Sequence, residues 1–88
     1  MARSIDVLGL GCAAVDDLLL VDRYPAPDSK TPVVRRERRC GGLTAAALIA
    51  ASRLGARCAY AGCLGEDDAS GFVLRSLHAE GVDTGHVW

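Results

Sequence analysis

The stretch GGLTAAALIAASRLGARCAYAGCL, from Gly41 to Leu64, decides the fold. Gly41-Gly42 interrupts whatever precedes it. From Leu43 to Leu54 the residues are mostly small and apolar, five of the twelve alanine, with Leu43, Leu48, Ile49 and Leu54 among them. Alanine loses no side-chain entropy in a helix, so this run predicts one. Its apolar residues surround most of the circumference, which predicts a buried helix. Gly55 is a natural C-terminal stop. Arg57 to Leu64 then has the length and flanks of a strand, with Gly62 as its weak point.

Towards the N-terminus, Ile5-Asp6-Val7-Leu8-Gly9-Leu10-Gly11 reads as a short buried strand ending in glycines. Leu18 to Val21 is a second apolar run. It stops at Tyr24-Pro25-Ala26-Pro27-Asp28, whose prolines continue neither a helix nor a central strand. Thr31 to Arg38 reads as an exposed or edge strand, because charges follow its β-branched start. Towards the C-terminus, Asp67 or Asp68 caps a helix that runs to about His78 or Ala79. Ala69, Val73 and Leu77, with Leu74 beside them, form its inner stripe. Gly71, Arg75 and His78 point outwards. Gly81 ends that helix, and Val82 to Trp88 begins another segment. Strands alternating with helices imply a parallel sheet with helices on its faces. Two helices cannot cover both faces of such a sheet, so a remainder of the fold is expected elsewhere.

The 88 residues allow one domain at most. With 50% hydrophobic and 24% charged residues the composition is globular. Asp16 and Asp17 break the first apolar stretch, so it reads as neither a membrane span nor a signal peptide, and the expected compartment is the cytoplasm. A net charge of −1 provides no field to hold nucleic acid. The local run Arg35-Arg36-Glu37-Arg38-Arg39 is read as a solvated strand, although arginines there can also pair with phosphates. Cys12, Cys40, Cys58 and Cys63 include no CxxC pair, and His78 and His86 lie far from them. That spacing argues against zinc and for reduced, mostly buried thiols.

Three features can carry chemistry. Gly9-Leu10-Gly11-Cys12-Ala13-Ala14 fits the G-x-G-x-x-G/A dinucleotide fingerprint, which requires a helix from about Cys12 to Val21. The same glycine turn followed by Asp16 sets a carboxylate at the sheet's carboxyl edge, where it can accept hydrogen bonds from two neighbouring hydroxyls of a polyol. Alternatively, Asp16 and Asp17 are turn or cap residues. Gly41-Gly42 lets a backbone approach a ligand closely, or simply makes a tight turn needing positive φ.

Gly11 with Asp16, Tyr24-Pro25-Ala26-Pro27, Cys40-Gly41-Gly42, Arg53-Leu54-Gly55-Ala56, Tyr60-Ala61-Gly62-Cys63-Leu64-Gly65-Glu66-Asp67 and Glu80-Gly81-Val82-Asp83-Thr84 follow one another. In that order and spacing the chain resembles the ribokinase-like (PfkB) carbohydrate kinases from about Ile5 to Val87. The resemblance implies an α/β, ribokinase-like three-layer fold with a small β-sheet lid, of which residues 1–88 are an N-terminal fragment. Lid strands are expected at about 17–22 and 31–38. It also implies phosphoryl transfer from ATP, with Mg²⁺, to a hydroxyl of a sugar or sugar-like molecule, and a homodimer formed through the lid. On the matching positions, Asp16 is the acid that grips sugar hydroxyls, and Gly41 and Gly42 are the di-glycine packed against substrate. The turn at Gly65 and Asp67 is structural. Two family asparagines are replaced by Ala14 and Ala46, and Ser70 stands where glycine is usual. The glycine-rich, aspartate-terminated segment that binds ATP and supplies the base is absent from these residues. Rival readings are a dinucleotide-binding oxidoreductase segment and a non-catalytic kinase relic acting as a binding module.

Overall fold

The structure, a computed structural model, describes residues 4–88. Its elements are β1 (Val7–Leu10), β2 (Ala14–Leu20), β3 (Arg35–Gly41), α1 (Leu43–Arg53), β4 (Cys58–Gly62), α2 (Asp68–Ala79) and β5 (Asp83–Val87). β1, β4 and β5 form a parallel sheet with β4 in the middle. β2 and β3 form a separate antiparallel ribbon. The ribbon lengthens the molecule. Its radius of gyration is 16.0 Å, against about 12 Å for a compact chain of this length.

Asp6 sets the sheet register. Its Oδ2 accepts from the Arg57 backbone N–H at 2.8 Å, while its own N–H donates to the Arg57 carbonyl at 2.7 Å. Val7 then pairs with Cys58 and Leu10 with Ala61. Two successive right-handed crossovers in the same direction lay both helices on one face of the sheet. On that face Ala45 and Leu48 of α1 meet Val73 and Leu77 of α2 over Cys58 and Tyr60, with Val82 closing the cluster. Burying a side chain such as Leu48 contributes about 1.5–3 kcal/mol.

The helix ends follow local chemistry. The Asp67 carboxylate accepts from the Ser70 N–H at 2.9 Å and caps α2. Gly55 (φ 102°) and Gly81 (φ 81°) follow the two helices in the left-handed region. Arg53 donates to both Glu80 carboxylate oxygens at 2.8 and 2.5 Å, and Ser52 Oγ donates to the Glu80 carbonyl at 2.6 Å. These contacts tie the C-terminal ends of the two helices together.

Several expectations need correction. β1 is not buried. It lies at the sheet edge, and Leu8 and Leu10 project from the face without helices, with Leu10 70% exposed. α1 is buried along one side only: Leu48 is 1% exposed and Leu43 86%. A single sheet face covers one stripe of it, so its uniform apolar character does not translate into uniform burial. In α2 the third inward position is Ser70, not Ala69, because the Ser70 hydroxyl accepts from the Gly65 N–H at 2.9 Å. The thiols are not mostly buried. Cys58 is buried and Cys40 half-buried, but Cys12 and Cys63 are exposed, and all four are free.

The ribbon strands lie at 14–20 and 35–41, where about 17–22 and 31–38 were expected. Pro32 has no N–H to donate, which keeps the start of the expected second strand out of the ladder. At the other end pairing continues to Ala14 opposite Gly41. Since residues 14–20 are a strand, the helix required by the dinucleotide reading does not form.

Candidate functional site

In the ribbon, Ala14 faces Gly41, Val15 faces Cys40, Asp16 faces Arg39 and Leu18 faces Glu37. Directly opposed residues share a face. One face therefore carries Val15, Asp17, Leu19, Cys40, Arg38 and Arg36. It turns towards α2: Val15 and Cys40 pack against the core, and the Arg38 guanidinium stands 5.9 Å over the Phe72 ring. Asp17 lies 3.5 Å from Arg38 and 4.0 Å from Arg36 on this side. The opposite face carries Ala14, Asp16, Leu18 and Leu20 beside Gly41, Arg39, Glu37 and Arg35.

Asp16 and Gly41 meet on this second face. A Cβ at Gly41 would lie 2.7 Å from Asp16 Cγ and in collision with Oδ2, so the carboxylate occupies the space a side chain would take. Among the described residues, Asp16 has no ion pair and its side chain makes no hydrogen bond. Arg39, directly across from it, instead donates to Glu37 Oε2 at 2.6 Å. Arg35 reaches the other Glu37 oxygen at 2.8 Å. The Asp16 carboxylate contributes, after burial, to pushing the half-buried Cys40 thiol above its ordinary pKa.

Gly42 plays a different part from Gly41. With φ 90° it is the N-cap of α1, and a Cβ there would approach Ala13 Cα and the Cys12 carbonyl at 3.0 Å. It lets the helix start lie directly on the backbone of residues 12–14, not on Asp16. The Cys12 carbonyl accepts from the Ala45 N–H at 3.3 Å, fastening this approach. Ala14 sits two residues before Asp16 on the same face, and Ala46 lies in the first turn of α1 with its own N–H bonded to the Gly42 carbonyl at 2.9 Å. Neither side chain offers a polar group.

Two supporting residues escaped the sequence reading. Thr44 fills the space below Gly9 and Gly11, where its Oγ1 and Cγ2 leave no room for a Cβ. The buried Tyr60 donates its hydroxyl to the Gly11 carbonyl at 2.7 Å, and its ring lies over Gly62. Gly62 is thus what admits the tyrosine, not a weak point. Burial, followed by the nearby thiols of Cys12, Cys63 and Cys40, pushes the Tyr60 hydroxyl above its usual pKa, so it stays a donor. No spacing rule pairs residues this far apart. A tyrosine in an otherwise apolar strand was the only signal, since a buried phenol needs a partner.

A parallel β-α-β core carrying a two-stranded antiparallel ribbon is shared with solved ribokinase-like structures. A solved structure from Agrobacterium tumefaciens, provisionally named a ribokinase, superposes with a TM-score of 0.82 at 30% identity, over 92% of this chain and 26% of that one. Aminoimidazole riboside kinase from Salmonella enterica, solved with aminoimidazole riboside and an ATP analog, gives 0.71 at 29% identity over 93% and 24%. Mouse ketohexokinase is 30% identical over 81 residues, 92% of this chain and 27% of the relative. The pfkB family carbohydrate kinase model matches residues 5–88, and the chain belongs to that family. It spans about a quarter of the length of the relatives it matches.

Proposed function

We propose that this chain provides the substrate-binding part of an ATP-dependent kinase that phosphorylates a hydroxyl of a sugar or nucleoside-like molecule. The observation that carries the proposal is the contact between an unpaired Asp16 carboxylate and Gly41. A carboxylate with both oxygens available accepts hydrogen bonds from two adjacent hydroxyls. Gly41, having no side chain, leaves the space beside it to the Asp16 carboxylate and so allows that carboxylate its position. The ribbon of β2 and β3 acts as a lid that excludes water, which would otherwise compete for the phosphoryl group. Ala14 and Ala46 add no polar contacts, so recognition by this part of the protein concentrates on Asp16.

ATP would supply the phosphoryl group and Mg²⁺ would neutralise its charge. Among the described residues no group of three or more His, Cys, Asp or Glu side chains is placed to hold a metal ion. The reading includes a cytoplasmic protein with free thiols, and a homodimer that covers exposed ribbon residues such as Leu19. Among the described residues no helix is long and apolar enough to cross a membrane.

The test uses the full reading frame containing these residues. D-ribose, D-fructose and adenosine are titrated by calorimetry, and ADP formation is measured with each. Asp16→Asn should keep its circular dichroism spectrum and lose about tenfold or more in affinity, as expected for charge-assisted hydrogen bonds. Unchanged affinity would refute the role of Asp16. Tight binding without turnover would favour a non-catalytic binding module.

A further inference from the structure

The Asp16 face contains a conflict that the fold resolves in one particular way. Arg39 lies directly opposite Asp16 across the ribbon, the cross-strand position from which an arginine most readily pairs with a carboxylate. Such a pair would occupy the oxygens that a polyol needs. Arg39 is instead turned along its own strand to Glu37, at 2.6 Å. Glu37 also receives Arg35, so one carboxylate restrains both arginines of this face. Glu37 is the less exposed partner, at 27% against 65% for each arginine side chain, and so forms the fixed centre of the triad.

We propose that Glu37 is a positioning residue that holds Arg39 away from Asp16 and so keeps the Asp16 carboxylate available to substrate hydroxyls. The inference rests on the reading of Asp16 given above. Glu37 itself need touch no substrate. Without its charge, Arg39 has one nearby carboxylate left on its face, and that is Asp16. An exposed ion pair of this kind competes with ligand only modestly. Glu37→Gln should therefore weaken sugar binding by about three- to fivefold, the equivalent of an exposed pair. Removing the competitor as well, in Glu37→Gln/Arg39→Gln, should restore affinity to about twofold of the parent, which simple damage to the ribbon would not do.

The experiment measures two quantities in the full reading frame. The first is affinity for D-ribose, D-fructose and adenosine in the parent, Asp16→Asn, Glu37→Gln and the double variant. The second is the NMR titration midpoint of the Asp16 carboxyl with and without Arg39→Gln, in the parent and in the Glu37→Gln background. The expected result is that Arg39→Gln raises the Asp16 midpoint more in the Glu37→Gln background than in the parent. An equal effect in both backgrounds overturns the inference, because Arg39 would then be no closer to Asp16 once released. So does a double variant that binds no better than Glu37→Gln. Normal binding by Asp16→Asn would instead refute the underlying reading of the site, while the titration would still decide whether Glu37 controls Arg39.

Discussion

The Tyr60 hydroxyl donates to the Gly11 carbonyl at 2.7 Å, joining the middle strand of the sheet to the turn that launches the ribbon. The turn carries β2 away from β1, and Asp16 follows five residues later. The bond therefore belongs to the frame that holds the carboxylate in place. Tyr60→Phe keeps the ring over Gly62 and removes only the donor. It should cost about 1 kcal/mol, the low end for a lost hydrogen bond, because Gly11 is exposed and water can replace the hydroxyl. Gly62→Ala should cost more, about 1–3 kcal/mol, because its Cβ would sit 2.6 Å from Tyr60 Cζ. Denaturant midpoints of the two variants check the order.

Gly41→Ala separates binding from folding. The added methyl collides with the Asp16 carboxylate and must displace it, while Gly41 needs no left-handed φ and tolerates alanine in its strand. Loss of sugar affinity comparable to that of Asp16→Asn is expected, with a smaller change in melting temperature than Gly42→Ala. At Gly42, φ is 90° and the neighbours are backbone atoms that cannot swing aside. Calorimetric titration and thermal melts of the pair test this.

The two faces of α1 should respond differently to the same substitution. Leu48→Ala empties a site in the core and should cost about 2–5 kcal/mol. Leu43→Ala, at a position 86% exposed, should change stability by less than about 0.5 kcal/mol if no other part of the protein covers it. A large loss from Leu43→Ala would mean that this side of the helix is buried in the full protein.

Acid should loosen the ends of the helices first. The side-chain and backbone hydrogen bonds of Ser70 hold the Asp67 carboxyl below its usual range, and the Arg53 guanidinium does the same for Glu80. Each group has a lower pKa folded than unfolded. Its contribution is present above the ordinary carboxylate value of about 4 and is lost as pH falls through the lowered folded value. Stability measured against pH should therefore decline below about pH 4. Asp67→Asn or Glu80→Gln should flatten that decline, although each lowers stability at neutral pH.

What could be read from the chain was local chemistry. The Asp67 cap, the stops at Gly55 and Gly81 and the α/β alternation depend on neighbouring residues, and each falls where local rules put it. The ordered motifs also identified the family. Burial was less legible, since it depends on which face of an element has a neighbour. Leu8, Leu10 and Leu43 read as core residues and are exposed among the described residues, the first two because both helices lie on the other side of the sheet and the third because it lies on the side of α1 away from the sheet. In the site, Asp16 and Gly41 were named from the sequence, but the hold of Glu37 on Arg39 was not. That run read as five solvated charges, and only the ribbon register shows which of them share a face with Asp16.

The strand order also governs how the chain is made. β1 leaves the ribosome before its sheet partner β4, and the contact that aligns them, Asp6 to Arg57, spans 51 residues. At about 5–20 residues per second, β1 waits on the order of 3–10 s before translation delivers that partner. Through that interval Val7, Leu8 and Leu10 lack the partner that β4 provides, while β2 and β3, closer in sequence, can already pair. A chaperone that holds exposed apolar segments would find one here until β4 arrives.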